Sequence, residues 1–187
     1  MNTGAYKNHV QKRRTKRRPV KLDLTPSIEA IIPKSATIMD IGAGDGRYVA
    51  WLQTAGYDAT GVDGTPGIEK LSDGLIYHFD LALPAEWLGD VGPRDWGLFI
   101  EVGEHIPSEF EQKAIHNVSR FCQKGLIVSW AKPGQRGRGH VNCHTPEWVA
   151  SRFAREGLLV DDEATATARK LTTRWYREKV MVMRREP

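Results

Sequence analysis

The chain has 187 residues, 40% of them apolar and 27% charged, the balance of a globular protein with room for one substantial core. No apolar run approaches the roughly 20 residues of a membrane-spanning helix, and the N-terminus lacks the apolar stretch of a signal peptide. These features set the expectation of a cytoplasmic protein whose two cysteines, Cys122 and Cys143, stay reduced.

The net charge of +4 is unevenly spread. Eight of the 27 Lys/Arg fall in residues 1–21 with no acid among them, and the other 19 stand against all 23 Asp/Glu. Residues 1–21 are therefore expected to form a poorly ordered basic tail, ahead of one domain over 22–187. A block of like charge either binds nucleic acid or another acidic surface, here through residues 7–21, or is simply solvated. Phosphate contacts of that kind add affinity, not specificity.

Asp23 to Ile32 reads as a short amphipathic helix with Pro26 near its first turn, ended by Pro33. The apolar run Ala36 to Ile41 reads as a buried strand. Gly42, Gly44 and Gly46 then turn the chain into a helix that ends near Ala55. A strand, a glycine turn and a helix N-terminus form the nucleotide-binding crevice of a doubly wound α/β sheet. Asp58 to Val62 is a second strand that delivers Asp63 to its end, where an acid can accept hydrogen bonds from both hydroxyls of a ribose. Gly74 to Phe79 is a third strand, followed by Asp80 and Leu81, and a helical turn is expected over 84–88. Asp95 to Val102 is a fourth strand that runs into Gly103-Glu104-His105.

An amphipathic helix follows from Pro107 to Phe121, then a fifth strand from Gly125 to Trp130. The segment from Ala131 to Thr145 is the longest loop, with three glycines and a proline, in a place where active-site covers belong. Thr145-Pro146 caps a helix to about Glu156, and Leu158 to Val160 is a sixth strand. Asp161 to Arg169 reads as polar and exposed. Trp175 to Arg184 alternates as a last, antiparallel strand. The expected fold is α/β: a doubly wound, mostly parallel seven-stranded sheet whose final strand is antiparallel.

Asp40-Ile41-Gly42-Ala43-Gly44-Asp45-Gly46 differs from the dinucleotide spacing G-x-G-x-x-G. It resembles throughout the first motif, D-x-G-x-G-x-G, of the class I (Rossmann-like) S-adenosylmethionine (SAM) dependent methyltransferases. The resemblance spans roughly residues 36 to 160. It implies SAM as cofactor, bound by Asp40, Gly42, Gly44, Gly46, Asp63, Asp80, Leu81 and Glu101, with Asp63 at the ribose and Asp80 at the adenine. It also places the end of the fourth strand beside the methyl group, so His105, Glu101 and Glu104 become the catalytic candidates, His105 as general base.

Glu101-Val102-Gly103-Glu104-His105 further resembles the E-x-x-E-H run of metal-using O-methyltransferases, among them enzymes of the ubiquinone pathway and RNA 2′-hydroxyl methyltransferases. His144 before Glu147-Trp148 matches the later histidine of the RNA group, with His140 nearby. That implies a divalent metal, Mg²⁺ or Mn²⁺, held by Glu101, Glu104, His105 and His144. Without a metal the same run serves as a wall facing the substrate. The acceptor is expected to be an oxygen or nitrogen of a small molecule or of RNA. Two alternatives stand beside this: a nicotinamide-dependent oxidoreductase, and a catalytically silent nucleic-acid-binding protein on the same fold.

Overall fold

The computed structural model describes residues 22–84 and 91–186. The basic tail and most of the helical turn expected over 84–88 lie outside the described residues. The described chain runs α1 (Thr25–Ile31), β1 (Thr37–Ile41), α2 (Arg47–Thr54), β2 (Asp58–Asp63), α3 (Ile68–Leu71), β3 (Ile76–His78) and β4 (Arg94–Ile100). It continues through two short 3₁₀ turns, Gly103–His105 and Ser108–Phe110, to α4 (Glu111–Phe121), β5 (Cys122–Ser129) and α5 (Pro146–Ala154). β6 (Leu158–Val160), α6 (Asp162–Leu171), α7 (Arg174–Arg177) and β7 (Met181–Arg185) complete it. No helix among the described residues is long and apolar enough to cross a membrane.

The strands form one sheet in the order β3-β2-β1-β4-β5-β7-β6. β1 pairs in parallel with both β2 and β4, and β7 lies antiparallel between β5 and β6. Both faces of the sheet are buried, which is why its central strands read as continuous apolar runs. Successive residues still point to opposite faces. Ile38, Leu98, Ile127 and Val182 pack with Ile28 of α1, Leu52 of α2 and Ala168 of α6. Met39, Phe99, Leu126, Val128 and Met183 pack with Ile115 and Val118 of α4 and Val149 and Phe153 of α5. The strand order reverses between β1 and β4, so the crevice of a doubly wound sheet opens at their C-terminal ends.

Two expectations need correction. Asp161 to Arg169 is not an exposed polar stretch but most of helix α6. Its Asp161 cap accepts a hydrogen bond from the Ala164 amide at 2.9 Å, and acids in its first turn and bases in its last suit the helix dipole. Its buried face is made of small residues, Thr165 and Ala168, and Ser27 of α1 donates to the Ala168 carbonyl at 3.0 Å. The last strand begins at Met181, because α7 and a buried Lys179 precede it.

Candidate active site

The glycine motif turns sharply out of β1: Gly42, Gly44 and Gly46 all have positive φ, at 80°, 56° and 77°. A side chain at Gly42 would be strained in that conformation and would also collide with Val102. The loop thus abuts the chain just past β4. Asp63, at the end of β2, holds the loop from the other side. Its carboxylate accepts from the Gly44 amide at 2.9 Å and from the Thr65 amide at 2.8 Å. Asp80 packs against Gly64, and its Oδ1 accepts from the Ala82 amide at 2.9 Å, closing a tight turn. Leu81, in that turn, is buried. Asp40, near the end of β1, is also buried, and burial together with the Asp63 charge pushes its carboxyl up to about 7.

At the end of β4 the chain turns at Glu101, whose φ is +55°, a conformation costly for a side chain of this size. The Glu101 amide is anchored on Ser129, at 3.1 Å to its carbonyl and 3.2 Å to its hydroxyl, and that hydroxyl donates to Glu101 Oε1 at 2.8 Å. Glu101 Oε2 accepts from Trp175 Nε1 at 3.2 Å and pairs with the Lys179 ammonium.

Three residues on, Glu104 is fully buried and neither carboxylate oxygen has a hydrogen-bond partner. Burial, reinforced by the Glu101 charge, pushes its carboxyl up to about 7. Glu104, His105 and His140 bring one ligand-type atom each within 4.8 Å of one another. His140 Nε2 lies 3.9 Å from Glu104 Oε1. The Nδ1 atoms of His105 and His140 sit 3.0 Å from the Gly139 carbonyl and 3.1 Å from the Gln135 carbonyl. In the neutral tautomers that make those bonds, Nε2 of each ring is the acceptor nitrogen. Burial, foremost, holds the His105 imidazole below its ordinary pKa and so favours the neutral ring. An imidazole fixed by a backbone carbonyl through its other nitrogen is the usual preparation of a metal-binding histidine, and a buried carboxylate without a hydrogen-bond partner lacks the close contacts that offset the cost of burying its charge. The chemistry of this donor set fits a divalent cation.

No protein-family model and no curated protein sequence matches the chain. Solved structures do. Magnesium protoporphyrin IX methyltransferase from Synechocystis PCC 6803 with bound SAM superposes with a TM-score of 0.59 at 17% identity, covering 81% of this chain and 71% of that one. A TehB-like SAM-dependent methyltransferase from Corynebacterium glutamicum gives 0.62 at 18% identity, with 86% of each chain covered. This chain has the class I SAM-dependent methyltransferase fold. The [4+2]-cyclase SpnF is similar as well, with a TM-score of 0.57 at 12% identity over 86% of this chain and 78% of that one. The likeness therefore carries the fold, and the reaction has to be argued from the site.

Within this methyltransferase fold, the structure gathers Gly42, Gly44, Asp63, Gly64 and Asp80 at one end of the crevice and Glu104, His105 and His140 near Val102 at the other. Glu101 and His144 have partners outside the cluster of Glu104, His105 and His140. His144 stacks on Trp148 at 3.4 Å between ring centroids, and its Nε2 lies 3.0 Å from Glu111 Oε2. His140 is brought in because the Val141 and Asn142 amides both donate to the Glu104 carbonyl, at 2.9 and 3.1 Å, which folds the long loop over the end of β4.

Three contributors escaped the sequence reading. Asn117 of α4, buried, donates to the carbonyls of Leu81 at 2.8 Å and Leu83 at 2.9 Å and so holds the Asp80 turn. Its only signal was an amide on the apolar face of a helix. Glu111 gathers Asn142 and His144. Lys179 was hidden in a stretch read as strand.

Proposed function

We propose that the chain is a SAM-dependent methyltransferase that methylates a hydroxyl oxygen, with a divalent metal held by Glu104, His105 and His140. The observation that carries this is the buried Glu104 carboxylate, with no hydrogen-bond donor, beside two imidazoles oriented by backbone carbonyls. It lies next to Val102, which packs on the glycine loop. SAM fits the other end of the crevice: close backbone approach at the glycine loop, the Asp63 carboxylate for the ribose hydroxyls and Asp80 for the adenine.

SAM supplies an electrophilic methyl group, and a metal bound beside it supplies the positive charge that lowers the pKa of an acceptor hydroxyl. The protein's own tasks are alignment and exclusion of water. The long loop, pinned to the Glu104 carbonyl, covers the cluster. His105 Nδ1 is tied to the Gly139 carbonyl, so its Nε2 is the nitrogen that would hold the metal, and loss of the acceptor's proton would rest on the metal's charge rather than on this ring. Glu101, tied to Ser129, Trp175 and Lys179, forms the wall on the β5 side.

The rim favours an acceptor that carries phosphate. Arg136 and Arg138 on the long loop and Arg174 and Arg177 on α7 are exposed, and Trp175 among them is 54% exposed. Cations with an exposed indole suit the backbone and bases of single-stranded RNA, and the basic run over residues 7–21 would add to its affinity. The test is transfer of labelled methyl from SAM into separated RNA and small-molecule fractions, with and without a chelator. Label in RNA that vanishes with chelator supports the whole reading. Label in small molecules only moves the acceptor, and transfer indifferent to chelator removes the metal.

A further inference from the structure

Lys179 is the only buried lysine or arginine among the described residues, with 2% of its side chain exposed. Its ammonium pairs with Glu101 Oε2, lies 3.3 Å from Gln135 Oε1 and sits 4.4 Å from the centre of the Trp175 ring. Burying an ammonium and a carboxylate together gains little stability over an apolar pair of the same volume, so core packing does not account for it. The pair stands beside a second carboxylate, Glu104, that has no hydrogen-bond partner. Two acids of one short run are thus treated in opposite ways. Glu101 receives a cation from the protein itself, together with donors from Ser129 and Trp175, while Glu104 faces two imidazoles. Glu101 turns in the left-handed region, and its carboxylate meets Lys179 while the cluster is made of Glu104, His105 and His140.

We infer that Lys179 is a positioning residue that withholds Glu101 from the metal site: its ammonium is a built-in counter-cation that leaves the site one carboxylate and two imidazoles and thereby sets a weak, exchangeable affinity for the divalent ion. This rests on the metal reading of the Glu104, His105 and His140 cluster. Its consequence runs opposite to ordinary damage. Removing Lys179 frees a second carboxylate and takes away a positive charge, so the metal should bind more tightly, because divalent affinity rises with the number of charged oxygen ligands.

The experiment is titration of the full chain with Mn²⁺, read by the loss of the free-ion paramagnetic resonance signal, with S-adenosylhomocysteine binding measured in parallel as a check on the fold. Lys179→Met is expected to tighten Mn²⁺ binding by roughly tenfold or more and leave S-adenosylhomocysteine binding within about twofold. The double variant Lys179→Met/Glu101→Gln replaces the pair without stranding either charge. It is expected to stay within about threefold of wild type, because Glu101 is not a ligand there. Unchanged or weaker Mn²⁺ binding in folded Lys179→Met overturns the inference, as does a double variant that loses the metal or binds it as tightly as the single one. If Lys179→Met does not fold, Lys179→Gln, which removes the same charge and keeps a polar side chain beside Glu101 and Gln135, takes its place with the same expectation. If no form binds Mn²⁺ while S-adenosylhomocysteine binds normally, the metal reading fails and takes this inference with it.

Discussion

Replacing Glu104 by glutamine should stabilise the metal-free protein at pH 8 and change its pH dependence throughout the neutral range. The Glu104 carboxyl has an ordinary value of 4.5 and is pushed up to about 7 in the folded chain, first by burial and then by the Glu101 charge. Below pH 4.5 it is protonated in both the folded and unfolded states and costs nothing. As the pH rises from 4.5 to 7 the unfolded chain ionises freely while the folded chain must keep its proton or bury a charge. Stability is then lost at about 1.4 kcal/mol per pH unit. The loss levels off above pH 7 at about 3 kcal/mol, which for a domain of this size is roughly 6–12 °C in Tm. Asp40, also raised to about 7, contributes with the same sign to both proteins and cancels in the comparison. The buried amide of glutamine adds an offset that does not vary with pH. The assay is thermal or urea denaturation of wild type and Glu104→Gln in EDTA at several values between pH 5 and 8. The two curves should separate with rising pH, and parallel curves would refute the argument. Saturating Mn²⁺ should stabilise wild type, since it binds only the folded state, and leave the variant unmoved.

Two further substitutions separate the ends of the crevice. Asn117→Ala strips the carbonyls of Leu81 and Leu83 of their common donor; a loss of about 1–3 kcal/mol is expected in urea denaturation, with S-adenosylhomocysteine binding weakened severalfold in calorimetry. At Gly137 an added Cβ would overlap the His140 imidazole, so Gly137→Ala should reduce Mn²⁺ affinity by roughly tenfold or more, with no change in S-adenosylhomocysteine affinity.

The fold was legible wherever the pattern was strong and local. The apolar run Ala36 to Ile41 with its Asp40, the three glycines and the acid at the end of β2 place the crevice from sequence alone, because each follows from backbone geometry or burial. The strand count and the antiparallel last strand agree with the sheet. What could not be read depends on contacts across the fold. Spacing alone points to His144, ahead of Glu147 and Trp148; in the fold its ring stacks on Trp148 and its Nε2 lies beside Glu111. His140 reaches Glu104 through backbone bonds that no spacing rule encodes. α6 is hard to read because alanine and threonine carry its buried face: the helical period is present, but the residues that mark it are small and weakly apolar. Lys179 was concealed by the alternation of Val180 and Val182 with Met181 and Met183: the pattern is real, but it begins only after the turn that carries the lysine inward.

The central claim is that the crevice between β1 and β4 binds SAM through the glycine loop and Asp63. Calorimetric titration with S-adenosylhomocysteine tests it most directly, with NADH as the competing ligand and Asp63→Ala as the control. One S-adenosylhomocysteine per chain, no heat from NADH, and at least a tenfold loss in folded Asp63→Ala are the expected results. The last reflects the bonds that Asp63 makes to Gly44 and is placed to make to the ribose. Binding of NADH in place of S-adenosylhomocysteine, or an Asp63→Ala variant that binds like wild type, would contradict the account at its root.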